Sequence, residues 1–217
     1  MTDFNAARIE MVDCQVRPSD VTLYPVIEAM LSVPREEFVP RDMREVAYAS
    51  DHILLGLNRV VLDSRILAKM LDALNIQPDD LVLDIGAGMG YSSAVIAHLA
   101  EVVIAVEEIE VLANEAERIL SEQSADNAVV QVGILAEGAP KHGPYDAIII
   151  EGGIEQVPDA LLNQLKTGGR IAVIRMENAL GQCMIGRKTA SGVDWRWSFD
   201  AAAPVLPGFE NPAKFLF

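Results

Sequence analysis

Basic residues are scarce in this chain: 17 Lys and Arg stand against 32 Asp and Glu, for a formal charge of -15. A surface of that sign repels phosphate backbones and anionic lipid headgroups, so neither nucleic acid nor a membrane is expected as a partner. Cysteine is nearly absent too. Cys14 and Cys183 lie far apart with no C-x-x-C and no metal-ligand spacing, which argues against a disulfide framework or a zinc site, and no metal is assigned. No apolar run approaches the ~20 residues of a membrane span, and Met1-Thr2-Asp3-Phe4 does not begin a basic-then-apolar leader. The expected location is the cytoplasm. The histidines His52, His98 and His142 stand singly, and no internal repeat or low-complexity segment is present.

The 217 residues suffice for a substantial core without staples. Their pattern divides the chain into an N-terminal helical and short-strand layer over 1–78 and a ligand-binding unit over 79–217. In the first segment a weak helical pattern over Asn5 to Cys14 precedes a stronger one, with Leu23, Val26, Ile27, Met30 and Leu31 on one face. Pro25 suits its first turn and Pro34 ends it. Ile53 to Val61 reads as short strands or a hairpin around Gly56 and Asn58, and Ile66, Leu67, Met70, Leu71 and Leu74 form a further helical stripe capped by Asp63 or Ser64.

From residue 81 the alternation is regular. Apolar strands are expected at 81–85, 102–106, 129–132, 146–150 and 171–174, with helices over 92–99, 110–120 and 158–165 and a helix stop at Gly168-Gly169. Continuous apolar strands separated by helices imply a mostly parallel sheet buried on both faces. This is a doubly wound, Rossmann-like α/β fold. Gln182 to Lys188 and Val193 to Phe199 flank Thr189-Ala190-Ser191-Gly192, which predicts a C-terminal antiparallel hairpin. Trp195 and Trp197, two apart on its second strand, are expected to face one side together and pack there.

Directly after the first of these strands comes Asp84-Ile85-Gly86-Ala87-Gly88-Met89-Gly90. Glycines there let the backbone approach a ligand closely, because no Cβ intervenes. The spacing is not the G-x-G-x-x-G/A of dinucleotide binding, since Gly90 comes one position early, so pyrophosphate is disfavoured. Asp84 stands two residues before the first glycine. Glu107 ends the next strand about twenty residues on, where a carboxylate can accept both hydroxyls of a ribose. Together these describe adenosine held without a diphosphate.

With that loop stand Val106-Glu107, Val33-Pro34-Arg35-Glu36-Glu37-Phe38-Val39-Pro40, Ala47-Tyr48, and Pro144-Tyr145-Asp146-Ala147-Ile148-Ile149 before Val157-Pro158. From about Met11 to about Val173 the chain resembles the protein-L-isoaspartate O-methyltransferases, a family of the class I methyltransferase fold. The resemblance implies transfer of a methyl group from S-adenosylmethionine to the carboxylate of an isoaspartyl residue, leaving S-adenosylhomocysteine. It implies a peptide or protein partner carrying isoaspartate, and protein repair as the role. It also implies cofactor contacts at Asp84, Gly86, Ala87, Gly88, Gly90, Glu107, Gly133 and Ile134. Oligomeric state is open between a monomer and a small homo-oligomer.

Three stretches depart from the family pattern. The substrate loop, of Gly-Gln-Gly-Gln-Thr-Ile-Ser type in the family, reads Gly56-Leu57-Asn58-Arg59-Val60-Val61-Leu62 here, so Leu62 replaces the hydroxyl that orients the acceptor. Arg59 is the candidate substitute, since a guanidinium can hold a carboxylate bidentately; its alternative is a solvent-facing loop arginine. Gly133-Ile134-Leu135 replaces a Gly-Asp-Gly, leaving apolar contact for the adenine. Glu151-Gly152-Gly153 replaces a Thr-Ala-Ala type segment, and Glu151 reads as a base, a thin metal ligand, or neither. The alternatives to isoaspartyl transfer are a methyltransferase with another, small-molecule acceptor and a cofactor-binding regulatory protein.

Overall fold

The computed structural model describes residues 2–211; Met1 and residues 212–217, the outer ends of the two expected segments, lie outside the described residues. Helix α1 (Phe4–Met11) is capped by Asp3, whose side chain accepts from the Ala6 amide, and continues through a π-helical turn over Val12–Val16. Helix α2 (Tyr24–Ser32) has Pro25 in its first turn, where the missing N–H is not needed, and it buries Val26, Ile27, Ala29 and Met30. Strands β1 (Ile53–Gly56) and β2 (Arg59–Val61) form an antiparallel hairpin. Its turn residues Leu57 and Asn58 are both left-handed, which matches the twist of a tight hairpin. Asp63 accepts from the Arg65 amide and caps α3 (Ser64–Leu74), whose expected stripe is buried throughout.

The main sheet contains β3 (Leu81–Ile85), β4 (Val102–Glu107), β5 (Ala128–Val132), β6 (Tyr145–Ile154), β7 (Leu165–Glu177), β8 (Leu180–Thr189) and β9 (Gly192–Asp200). Their order is β5-β4-β3-β6-β7-β8-β9; the first five run parallel, and β8 and β9 add the antiparallel hairpin. Helices α4 (Tyr91–Ala97), α5 (Glu110–Glu122) and α6 (Asp159–Asn163) make the crossovers. Alternate strand residues enter two apolar clusters. Val82, Val103, Ile149 and Ile174 join one that runs from Met11 to Ala203 and includes α2 and α3. Leu83, Ile104, Ile148 and Val173 join the other, with Leu161, Leu206 and Phe209. Both faces of the sheet are therefore covered, which is why the strands read as unbroken apolar runs.

Three expectations are corrected. The helix expected over 158–165 spans only Asp159–Asn163, and β7 begins at Leu165 and runs through Gly168-Gly169 instead of starting after them. The glycines serve an irregularity in that strand: Gly168 is left-handed, and a Cβ on Gly169 would meet the Asp146 carbonyl at 3.0 Å. Glu151-Gly152-Gly153 lies within β6, where the C-terminal segment crosses closely; a Cβ on Gly153 would fall 2.4 Å from the Ala203 carbonyl oxygen. Trp195 and Trp197 sit on the edge strand β9 at 38% and 57% exposure, so packing accounts for neither fully.

The proline-bounded connection is structural. Arg35, fully buried, donates from Nε to the Ala47 carbonyl (2.6 Å) and from Nη2 to the Leu62 carbonyl (2.8 Å), and its guanidinium lies 4.7 Å over the Tyr91 ring. Phe38 meets Tyr91 edge-on, with ring centroids 5.9 Å apart. Arg8, Glu36 and Tyr48 form a linked polar group beside it. These contacts pin the N-terminal layer to the first residue of α4, immediately after the glycine loop. Phe38→Ala should cost about 3–5 kcal/mol of stability, read as a lower urea midpoint, because a fully buried ring leaves a cavity at that seam.

Candidate functional site

The carboxyl ends of β3, β4, β5 and β6 converge with the β1–β2 hairpin. The glycine loop leaves β3 with Gly86, Gly88 and Gly90 all at positive φ, a path that other residues adopt only with strain. Its amides are used internally: Gly86 donates to the Val106 carbonyl (2.8 Å), Gly90 to the Ala87 carbonyl (2.8 Å) and Gly88 to Glu107 Oε2 (3.0 Å). The loop therefore offers close approach more than free donors. Ala87, between these glycines, is buried, and its amide also turns toward the Val106 carbonyl.

Glu107, at the end of β4, has no exposure. Its Oε1 accepts from the Glu108 amide (2.8 Å) and the Ile109 amide (2.9 Å), and Arg59 Nε–H is shared between Oε1 at 3.0 Å and Oε2 at 3.1 Å. With the Gly88 amide, these donors fill the roughly four acceptor positions of a carboxylate. Arg59 is 1% exposed, which corrects its reading as a solvent-facing loop residue, and its Nη2 also lies 3.5 Å from Glu108. Its Nε–H is directed at Glu107, not at an open cleft. Leu62 is likewise a core residue, with its carbonyl held by Arg35. Gly133 donates its amide to the Glu107 carbonyl (3.1 Å), and Ile134 beside it is about half exposed.

A second group of polar atoms was not legible as a set. Asp84 is fully buried; its Oδ2 accepts from Ser92 Oγ (2.7 Å) and Ser93 Oγ (2.6 Å), while Oδ1 has no partner among the described residues. Burial pushes its pKa up to about 6, against the two serine hydrogen bonds, and the Glu107 charge adds to the rise. Glu151 is buried with Oε1 unpartnered, and its pKa is raised well above the carboxylate range by burial and by the Asp84 charge, with Arg35 opposing. Arg35 Nη1 and Tyr91 OH are also buried without partners among the described residues. Two acceptors and two donors thus stand unsatisfied among the described residues on elements flanking the glycine loop. The serine pair directly after the loop was the one local signal for this cluster; Arg35 and Tyr91 carried none.

His52 binds backbone on both sides, accepting from the Asp63 amide at Nδ1 and meeting the Ala202 carbonyl at Nε2. Among the described residues no group of three or more His, Cys, Asp or Glu is placed to hold a metal, and no helix is long and apolar enough to cross a membrane.

Comparison with known proteins agrees with this architecture. Residues 10–192 match the family model described as protein-L-isoaspartate(D-aspartate) O-methyltransferase. A protein-L-isoaspartate O-methyltransferase of Syntrophus aciditrophicus is 36% identical over 173 residues, covering 80% of this chain and 79% of that one. One from Methanopyrus kandleri is 36% identical, covering 96% of each. A Plasmodium falciparum protein solved in complex with S-adenosyl-L-homocysteine superposes with a TM-score of 0.79 at 17% identity, over 95% of this chain and 99% of that one, a likeness of fold. The chain belongs to the protein-L-isoaspartate(D-aspartate) O-methyltransferase family.

Proposed function

We propose that this chain transfers a methyl group from S-adenosylmethionine to the free carboxylate of isoaspartyl residues in peptides and proteins. Family membership supports the activity and cofactor, and the unpartnered atoms beside the glycine loop are the observation that carries the cofactor reading in this chain. Asp84 Oδ1 and Glu151 Oε1 are acceptors and Arg35 Nη1 and Tyr91 OH are donors, a set complementary to the ammonium and carboxylate of an amino-acid end. Unsatisfied buried groups of this kind are costly unless a ligand or water completes them. The cofactor supplies an activated sulfonium methyl, and an ionised carboxylate is already a nucleophile at neutral pH. What remains for the protein is alignment in a dry site, which needs no acid or base.

The expected result of a labelled-methyl assay is base-labile transfer to an isoaspartyl peptide and none to its aspartyl isomer. Equal transfer to both, or to neither with cofactor bound, would remove isoaspartate as the acceptor.

The acid pair also has a pH signature. Asp84 and Glu151 both have folded pKa values above their ordinary ones, so the native state holds more protons than the unfolded chain. Stability is then lost as pH rises, from about 4 to about 6 for Asp84 and at higher pH for Glu151. Glu151→Gln removes its share. The unliganded variant should gain stability over wild type as pH is raised from 5 to 8 in urea titrations, while binding S-adenosylhomocysteine more weakly. A gain that is independent of pH would refute the assignment.

A further inference from the structure

The hairpin stands where the nucleoside would go. Glu107, the acceptor expected for the ribose hydroxyls, has its oxygens filled by Arg59 Nε and three backbone amides. On the other side of the same gap, Leu55 Cδ1 lies on Gly88, so close that a Cβ there would sit 2.6 Å from it. Ligand approach to the glycine loop needs that face open. Arg59 and Leu55 belong to one short hairpin, β1–β2, tied by a turn of two left-handed residues and flanked by the exposed Leu54 and Leu57. Arg59 Nη1 is buried without a partner among the described residues, so the guanidinium is only partly satisfied by the seat it occupies.

We propose that Arg59 and Leu55 are the affinity-determining residues of the cofactor site: they occupy the nucleoside position from within the chain, and the cofactor enters by displacing them. This rests on the reading that the chain binds S-adenosylmethionine. A ribose can bond to Glu107 only after Arg59 has let go, since the carboxylate has no free acceptor position. The measured affinity is then the intrinsic one reduced by the fraction of molecules in which the hairpin has withdrawn. Weakening the hairpin's own contacts raises that fraction and tightens binding.

The test is calorimetry of S-adenosylhomocysteine with wild type, Arg59→Ala and Leu55→Ala, with hydrogen exchange of the segment 53–61 followed in wild type with and without the ligand. Leu55 is half-buried and its truncation leaves the Arg59–Glu107 pair in place, so it reports even where the arginine variant fails to fold. The expected outcome is binding at least about 10-fold tighter in each folded variant, and faster exchange of 53–61 when wild type binds the ligand. Wild-type binding with unchanged or weaker affinity in the variants, or with added protection of 53–61, would overturn the proposal and leave the cofactor reading intact. No binding in wild type or in any folded variant would overturn both.

Discussion

A carboxylate without exposure to water has to be neutralised where it stands, and Glu107 is such a group. Its partners come from three separate parts of the chain: the glycine loop through Gly88, the β1–β2 hairpin through Arg59, and the turn after β4 through Glu108 and Ile109. Removing one member of a buried ion pair leaves the other charge unpaired and typically costs about 3–5 kcal/mol. The hairpin, the loop and the end of the sheet are thereby bound into one arrangement.

The N-terminal layer reaches the same place by another route. Arg35 is spent on two backbone carbonyls, of Ala47 and Leu62, and on the face of Tyr91. It fixes the strand end after β2 and the start of α4 together. The short string from Val33 to Pro40 is therefore an architectural element, and its charged residues serve the fold before any ligand is considered. Among the described residues, only Nη1 of Arg35 remains unpartnered. That nitrogen belongs to the same cluster as Asp84 and Glu151.

The opposite face is closed by the segment after β9. Leu206 packs against Gly86 and Gly152, with Cβ positions that would lie 3.2 Å and 2.6 Å from its side chain, and its amide donates to the Gly153 carbonyl (2.9 Å). The two glycines after Glu151 are explained by that crossing. Close packing here leaves Glu151 enclosed, and enclosure is what raises its pKa.

The sequence by itself determined the fold and marked the glycine loop and Glu107 within it. Unbroken apolar strands such as 146–150, the glycine loop and the stripe from Ile66 to Leu74 are local patterns, and burial on a sheet or helix face follows directly from their period. Where a local pattern was ambiguous, as at Gly168-Gly169, the boundary moved, because a strand irregularity and a helix stop use the same residue. Only the tertiary structure decided which of these residues meet. Arg59 and Glu107 are 48 positions apart, and nothing in either neighbourhood says that they meet. Their pairing depends on how the hairpin crosses the sheet edge. Arg59 was legible as a cation in a loop; that it neutralises Glu107 follows from burial, which makes an unpaired charge intolerable and selects whichever partner the fold brings within reach.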